Sequence, residues 1–189
     1  MEAGVKKIMR EALPVLVLTT LGGITAGVFL ENVKNDMVVK IPGLLILLPA
    51  ILGNRGNIAG ALGSRLSSAL HLGLITPELK WNKTLSSNLY ATILLNIIIS
   101  LLLGIVAWSA YEIAGFPGQA SIIKLTLIAL IAGTIAGIFL ALLTILLAIY
   151  TSAKGMDPDN ILIPLVSTVG DITTIICLIG AVWFVEGIL

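Results

Sequence analysis

The sequence predicts an all-α integral membrane protein with five transmembrane helices in each subunit. Three observations carry this. The chain is 58% hydrophobic and only 11% charged, with a mean hydropathy of +1.10, whereas a soluble domain has about 25% charged residues. Its apolar residues fall into five long runs, each reaching the ~20 residues that a helix needs to cross a bilayer. Charged residues gather between those runs, with few exceptions.

Helix 1 is expected over Glu11–Leu30. Pro14 falls in its first turn, where a missing N–H costs little. Lys6, Lys7 and Arg10 precede it, but the apolar stretch is long and lacks a small-residue cleavage site, so it reads as a span and not a signal. A polar loop, Glu31–Lys40, follows. Helix 2 covers Ile41–Leu72 and is unusual. It is apolar to Leu52, then reads Gly53-Asn54-Arg55-Gly56-Asn57, then continues from Ile58 with Arg65 and many small residues. Pro49, Gly53 and Gly56 weaken regular helix there. Interrupted helices at membrane depth are tolerated only against protein or a water-filled cavity, and transporters build ion sites from them. The plainer alternative is a kinked packing helix with hydrogen-bonded Asn side chains.

After the loop Gly73–Lys83, helix 3 covers Thr84–Ala114 and ends at Gly115-Phe116-Pro117-Gly118. Helix 4 covers Ser121–Ser152, with Lys124 able to snorkel to an interface. The loop Ala153–Asp159 leads to helix 5, Asn160–Glu186. Residues 1–189 read as a single transmembrane transport domain without a soluble domain, so a regulatory module would be a separate chain. Placing the N-terminus in the cytoplasm puts Lys6, Lys7, Arg10, Arg65, Lys80, Lys83 and Lys154 inside and only Lys34, Lys40 and Lys124 outside. That bias predicts a multi-pass cell-membrane protein with its C-terminus outside.

A net charge of +1 argues against a nucleic-acid partner. Cys177 is the only cysteine and His71 the only histidine. One chain therefore holds no intramolecular disulfide, thiol cluster or multi-histidine metal site.

Asp171 is the most informative residue. It is the one charge in Ile161–Val185. A charge at the bilayer centre costs roughly 2.5–3.5 kcal/mol on insertion scales, so such residues face a bundle interior or a water-filled path. A structural carboxylate bonded to a neighbouring helix is the plainer reading. Helical spacing puts Asn160, Pro164, Ser167, Asp171 and Thr174 in one polar stripe. Carboxylate, hydroxyl and amide oxygens are hard ligands suited to Mg²⁺, Ca²⁺ or Mn²⁺. At 1.5 Å per residue Asp171 lies roughly 16 Å from Asn160, near the middle of a ~30 Å core. Asn54 comes within a turn or two of the same depth.

Other groups have two readings each. Arg55 either pairs with a carboxylate or snorkels to the inner interface. A permanent pair with Asp171 would weaken cation binding, which favours the interface. Asp159 or Asn160 can cap helix 5, while Asp157 and Asp159 at its mouth can also attract cations. Gly23/Gly27, Gly56/Gly60 and Gly133/Gly137 read as close-packing helix signals. One carboxylate per chain is too little for a divalent ion. A homodimer would bring two copies of Asp171 around one axis, and Mg²⁺ keeps several waters that a polar vestibule suits.

At these residues the chain resembles the membrane domain of MgtE-type magnesium transporters and the related solute-carrier magnesium transporters. The segments that carry the resemblance are Pro49–Asn57 with Ala61–Ser67, and Asp157–Asn160 with Ile163–Asp171. The resemblance covers essentially the whole chain. It implies five transmembrane helices per subunit, a homodimer in the lipid bilayer, and an ion path lined by helices 2 and 5. It implies that Asp171 is the central Mg²⁺-coordinating residue. Gly53, Asn54, Gly56 and Asn57 then supply pore-lining backbone and amides. Ser167, Thr168 and Thr174 would help hold the water shell, and Pro164 and Asn160 would line the path. The large cytoplasmic regulatory domains of many MgtE proteins are not represented, and the domain occurs once where the solute-carrier relatives have two copies.

The expected function is thus that of a divalent cation channel or transporter for Mg²⁺, and not of an enzyme. Two rivals belong to other classes. A non-transporting partner subunit would move no ion by itself. An intramembrane hydrolase would use Ser67 and His71, four apart on one helix face, but no orienting acid or nucleophile motif accompanies them.

Overall fold

The computed structural model describes the backbone of residues 2–189 and the side chains of 5–6, 9–31 and 39–189. Within these residues the chain forms five helices and no strand: α1 (Glu2–Lys40), α2 (Leu44–His71), α3 (Lys83–Ile113), α4 (Ile122–Ala153) and α5 (Pro158–Ile188). Each contains a stretch long and apolar enough to cross a bilayer; in α1 it is Met9–Glu31. The chain is therefore a multi-pass membrane protein of five spans.

Two sequence expectations are corrected here. The polar segment Glu31–Lys40 is not a loop but the continuation of α1. It contains neither Gly nor Pro, so nothing stops the helix before Pro42, which biases Ile41 away from helical geometry. Gly43 then takes a φ of +89°, a conformation open to glycine without penalty. The second correction concerns α2, which runs unbroken through Pro49, Gly53 and Gly56. Each interior glycine costs about 1 kcal/mol. The helix survives because one side of it, through Leu47, Ile51, Ala59 and Leu62, is buried in the bundle.

The other helices start where capping side chains stand. The Asn82 side chain accepts from Leu85 N at 2.8 Å, and Ser121 Oγ accepts from Lys124 N at 3.3 Å. Asp157, not Asp159 or Asn160, is the cap of α5: its Oδ1 accepts from Asp159 N at 3.1 Å. Pro158 occupies the first turn, where it is preorganised for a helix.

Helix α4 is the hub and packs against α2, α3 and α5. Small residues line its buried side: Ala129, Ala132, Gly133, Ala136, Gly137 and Ala141. Helix α1 lies against α5 and scarcely touches α2. The apolar core is split in two. One cluster joins Leu44, Leu47 and Ile51 of α2 to Leu178 and Val182 of α5. The other joins Ala59, Leu62 and Leu66 to Leu162 and Val166. Between them sits a polar layer of buried Arg55, Asn96, Ser100 and Thr174.

Candidate ion pathway

Two close approaches fix the register of α2 against α5. A Cβ placed on Gly56 would meet Ser167 Oγ at 3.8 Å, and one on Gly63 would overlap the end of Leu162. The helices are thus antiparallel. One turn from Ser167 to Asp171 corresponds to one turn back from Gly56, which brings Asp171 level with Leu52–Gly53 and within a turn of Asn54. The depth match expected from counting residues is present.

Asp171 is half-buried at the middle of α5. Its carboxylate makes no hydrogen bond or ion pair among the described residues. Ser167 is exposed on the same side of the helix, as are Gly53 and Asn57 on α2. Asn54 is half-buried and donates from Nδ2 to Ala50 O at 3.0 Å, leaving its Oδ1 free of that bond. These residues form an oxygen-bearing strip along the α2–α5 seam.

The remaining candidates are not all on that strip. Thr174 is fully buried, and its Oγ1 has no partner among the described residues. Thr168 turns toward α1: its Oγ1 lies 3.5 Å from Thr19 O, and its methyl group blocks a Cβ at Gly22. Asn160 donates to Glu11 Oε2 of α1 at 3.1 Å. Pro164 is half-buried, Asp159 is exposed at the mouth, and Asp157 is committed to the cap. The polar stripe read from spacing therefore divides. Its α1 side is occupied because α1 docks along α5, which helical periodicity cannot reveal.

Arg55 departs furthest from expectation. The sequence favoured a side chain reaching the interface. Instead Arg55 is 4% exposed and points into the polar layer. Its Nη2 donates to Ser100 Oγ of α3 at 3.3 Å, and Nη1 has no partner among the described residues. The guanidinium fills a slot left by two glycines of α4. A Cβ on Gly133 would lie 2.6 Å from Nη2, and one on Gly137 would lie 2.7 Å from Nη1. The Gly133/Gly137 pair thus houses a charge besides bringing helices together. Asn96 and Ser100, which complete the layer, were not singled out from sequence; the signal available was a pair of polar residues one turn apart inside the apolar α3.

Among the described residues no group of three His, Cys, Asp or Glu side chains is placed to hold a metal ion. His71 Nδ1 lies 2.9 Å from Ser67 O and 3.5 Å from Ser67 Oγ. The imidazole thus meets the main chain of its own helix more closely than the hydroxyl, and no described acid orients it.

A family model described as MgtE, divalent cation transporter, matches residues 48–181. The chain is 32% identical to solute carrier family 41 member 3 of Rattus norvegicus over 172 residues, covering 87% of this chain and 36% of that protein. It is 28% identical to solute carrier family 41 member 2 of Gallus gallus over 200 residues, covering 98% of this chain and 34% of that one. The corresponding Homo sapiens protein is 29% identical over 187 residues, covering 94% of this chain and 31% of that one. The chain therefore spans only about a third of the length of these relatives. No solved structure matches it.

Proposed function

Because this chain belongs to the MgtE divalent cation transporter family, we propose that it conducts Mg²⁺ across a cell membrane along the α2–α5 seam of a homodimer. The family is one of transporters, which removes the Ser67/His71 hydrolase reading. One observation carries the proposal: the Asp171 carboxylate has no partner among the described residues and is half-buried at mid-span, level with Gly53 and near Asn54.

A lone carboxylate cannot strip a divalent ion of its water. Two chains related by a two-fold axis would present two carboxylates to one ion that keeps most of its hydration shell. Ser167, Asn57 and Asn54 would hydrogen-bond those waters. Exposed Asp159 at the cytoplasmic mouth raises the local cation concentration. The surplus of Lys and Arg beside the inner ends of the spans supports a cytoplasmic N-terminus. Other hard divalent cations meet the same ligands, with Mg²⁺ favoured by its reluctance to dehydrate.

The test is Mg²⁺ flux into proteoliposomes holding the purified full chain, with Asp171→Asn beside the wild type. Asn keeps the size and one oxygen and removes the charge. Flux should fall at least about tenfold in a variant that elutes as a folded dimer, a loss of about 1.4 kcal/mol in stabilisation of the ion. Equal flux in both proteins would make Asp171 structural and overturn the proposal, as would a wild-type protein that moves no divalent ion.

A further inference from the structure

We propose that Arg55 sets the affinity of the ion path: a fixed positive charge, lodged behind α2 at the depth of Asp171, that weakens divalent binding enough for the ion to leave. The inference deepens the transport reading above and rests on it.

The position is built, and it is expensive. Arg55 is 4% exposed; among the described residues its one hydrogen-bond partner is Ser100 Oγ, and no carboxylate neutralises it. An uncompensated charge in a protein interior is among the costliest groups a fold can carry, and more so at membrane depth. At both glycines of α4 a Cβ would strike the guanidinium, at 2.6 and 2.7 Å, as well as Ser100 of α3 at Gly133 and Asn96 of α3 at Gly137. The same two positions thus admit the charge and the close approach of α3.

Its direction is equally specific. At 100° per residue Arg55 stands about 160° around the helix from Gly53 and Asn57, the exposed residues bordering the seam. The charge therefore lies on the order of 10 Å from an ion on that face, across the helix itself. The intervening medium is protein and not bulk water, so the field is weakly screened. Coulomb repulsion scales with ion charge, and a divalent ion feels twice the penalty of a monovalent one. In the dimer two Arg55 offset two Asp171, so the path carries little net fixed charge at that depth. Conduction needs binding strong enough to enter and weak enough to leave. Asp171 supplies the first term and Arg55 the second.

The experiment measures half-saturating Mg²⁺ concentration and maximal flux in proteoliposomes for wild type, Arg55→Gln, Arg55→Lys and Ser100→Asp. Arg55→Gln removes the charge but keeps length and hydrogen bonding. Ser100→Asp leaves Arg55 in place and gives it the carboxylate it lacks, so it neutralises the charge even if Arg55→Gln fails to fold. Both are expected to lower the half-saturating concentration about tenfold and to reduce maximal flux as release slows. Arg55→Lys keeps the charge and should remain close to wild type in half-saturation. A purely structural Arg55 gives another pattern: reduced folded protein with an unchanged half-saturating concentration in whatever folds. That pattern, or an unchanged value in folded Ser100→Asp, would overturn the inference. Wild-type flux that collapses in Asp171→Asn while the Arg55 and Ser100 variants keep the wild-type half-saturation would remove this inference alone. Absence of divalent flux in the wild type would remove the transport reading and this one together.

Discussion

Helices α3 and α4 come backbone to backbone at Gly104, where substitution by alanine should separate them. A Cβ there would lie 2.8 Å from Thr126 N and closer still to Thr126 Cα. Contacting carbon atoms settle at ≈3.5–4.0 Å, so the shortfall approaches or exceeds 1 Å. The obstacle is main chain, so no rotamer change relieves it. Overpacking of this kind costs about 1–3 kcal/mol, partly offset by the roughly 1 kcal/mol that Ala gains over Gly in a helix. The net expectation is a destabilisation of up to about 2 kcal/mol. Gly180 is the matched control. It lies on an exposed face of α5 with no atom beyond its own stretch of helix within 4 Å of its would-be Cβ, so Gly180→Ala should be neutral or stabilising. Unfolding of the purified chain in mixed micelles, titrated with a denaturing detergent, reads the difference. Trp108 on α3 packs against the apolar cluster beside Gly104 and provides a fluorescence signal. Equal stability of Gly104→Ala and Gly180→Ala would refute the packing argument.

Two further outcomes are expected. Asn82→Ala removes the cap of α3 and should cost about 1 kcal/mol, seen as faster hydrogen exchange in the first turn of α3 and a lower unfolding midpoint. His71→Ala should leave Mg²⁺ flux within twofold of wild type, because its ring meets only its own helix among the described residues; a large loss of flux would revive a chemical role for that histidine.

The parts of this molecule that were readable in its sequence are those fixed by local chemistry. The five spans follow from apolar run length, and Asp171 stands out because a carboxylate in such a run is costly wherever the helix packs. The depth match of Asp171 with Gly53 and Asn54 needed only the helical rise and opposite helix directions. The unreadable parts depend on which helix lies beside which. Asn160 shares a spacing pattern with Asp171, and Thr168 was expected at the ion's water shell, yet both turn to α1. Arg55 was assigned to the interface because its slot is made by Ser100 of α3 and two glycines of α4, far away in sequence. The segment after Leu30 was read as a loop from its polarity, although it lacks a helix-breaking residue until Pro42. Absence of a breaker was the better guide there. The close approach at Gly104 has its own signal in the sequence, since Ser100 and Gly104 form a small pair one turn apart.

The buried guanidinium also has a bearing on the order in which this protein is made. Ribosomes deliver α2 before α3 and α4, so for a time Arg55 has neither Ser100 nor the slot at Gly133 and Gly137. A nascent α2 entering lipid alone would expose an Arg near its centre, which insertion scales place at about +2.5–3.5 kcal/mol. Helix α2 is also the least apolar of the five spans. It should therefore pause at the translocon, or shallow in the bilayer with Arg55 toward the headgroups, and reach full depth only once α4 has emerged. The residue that tunes the finished path would thus time its own assembly, making the α2–α4 unit the smallest piece of the chain in which α2 can reach full depth.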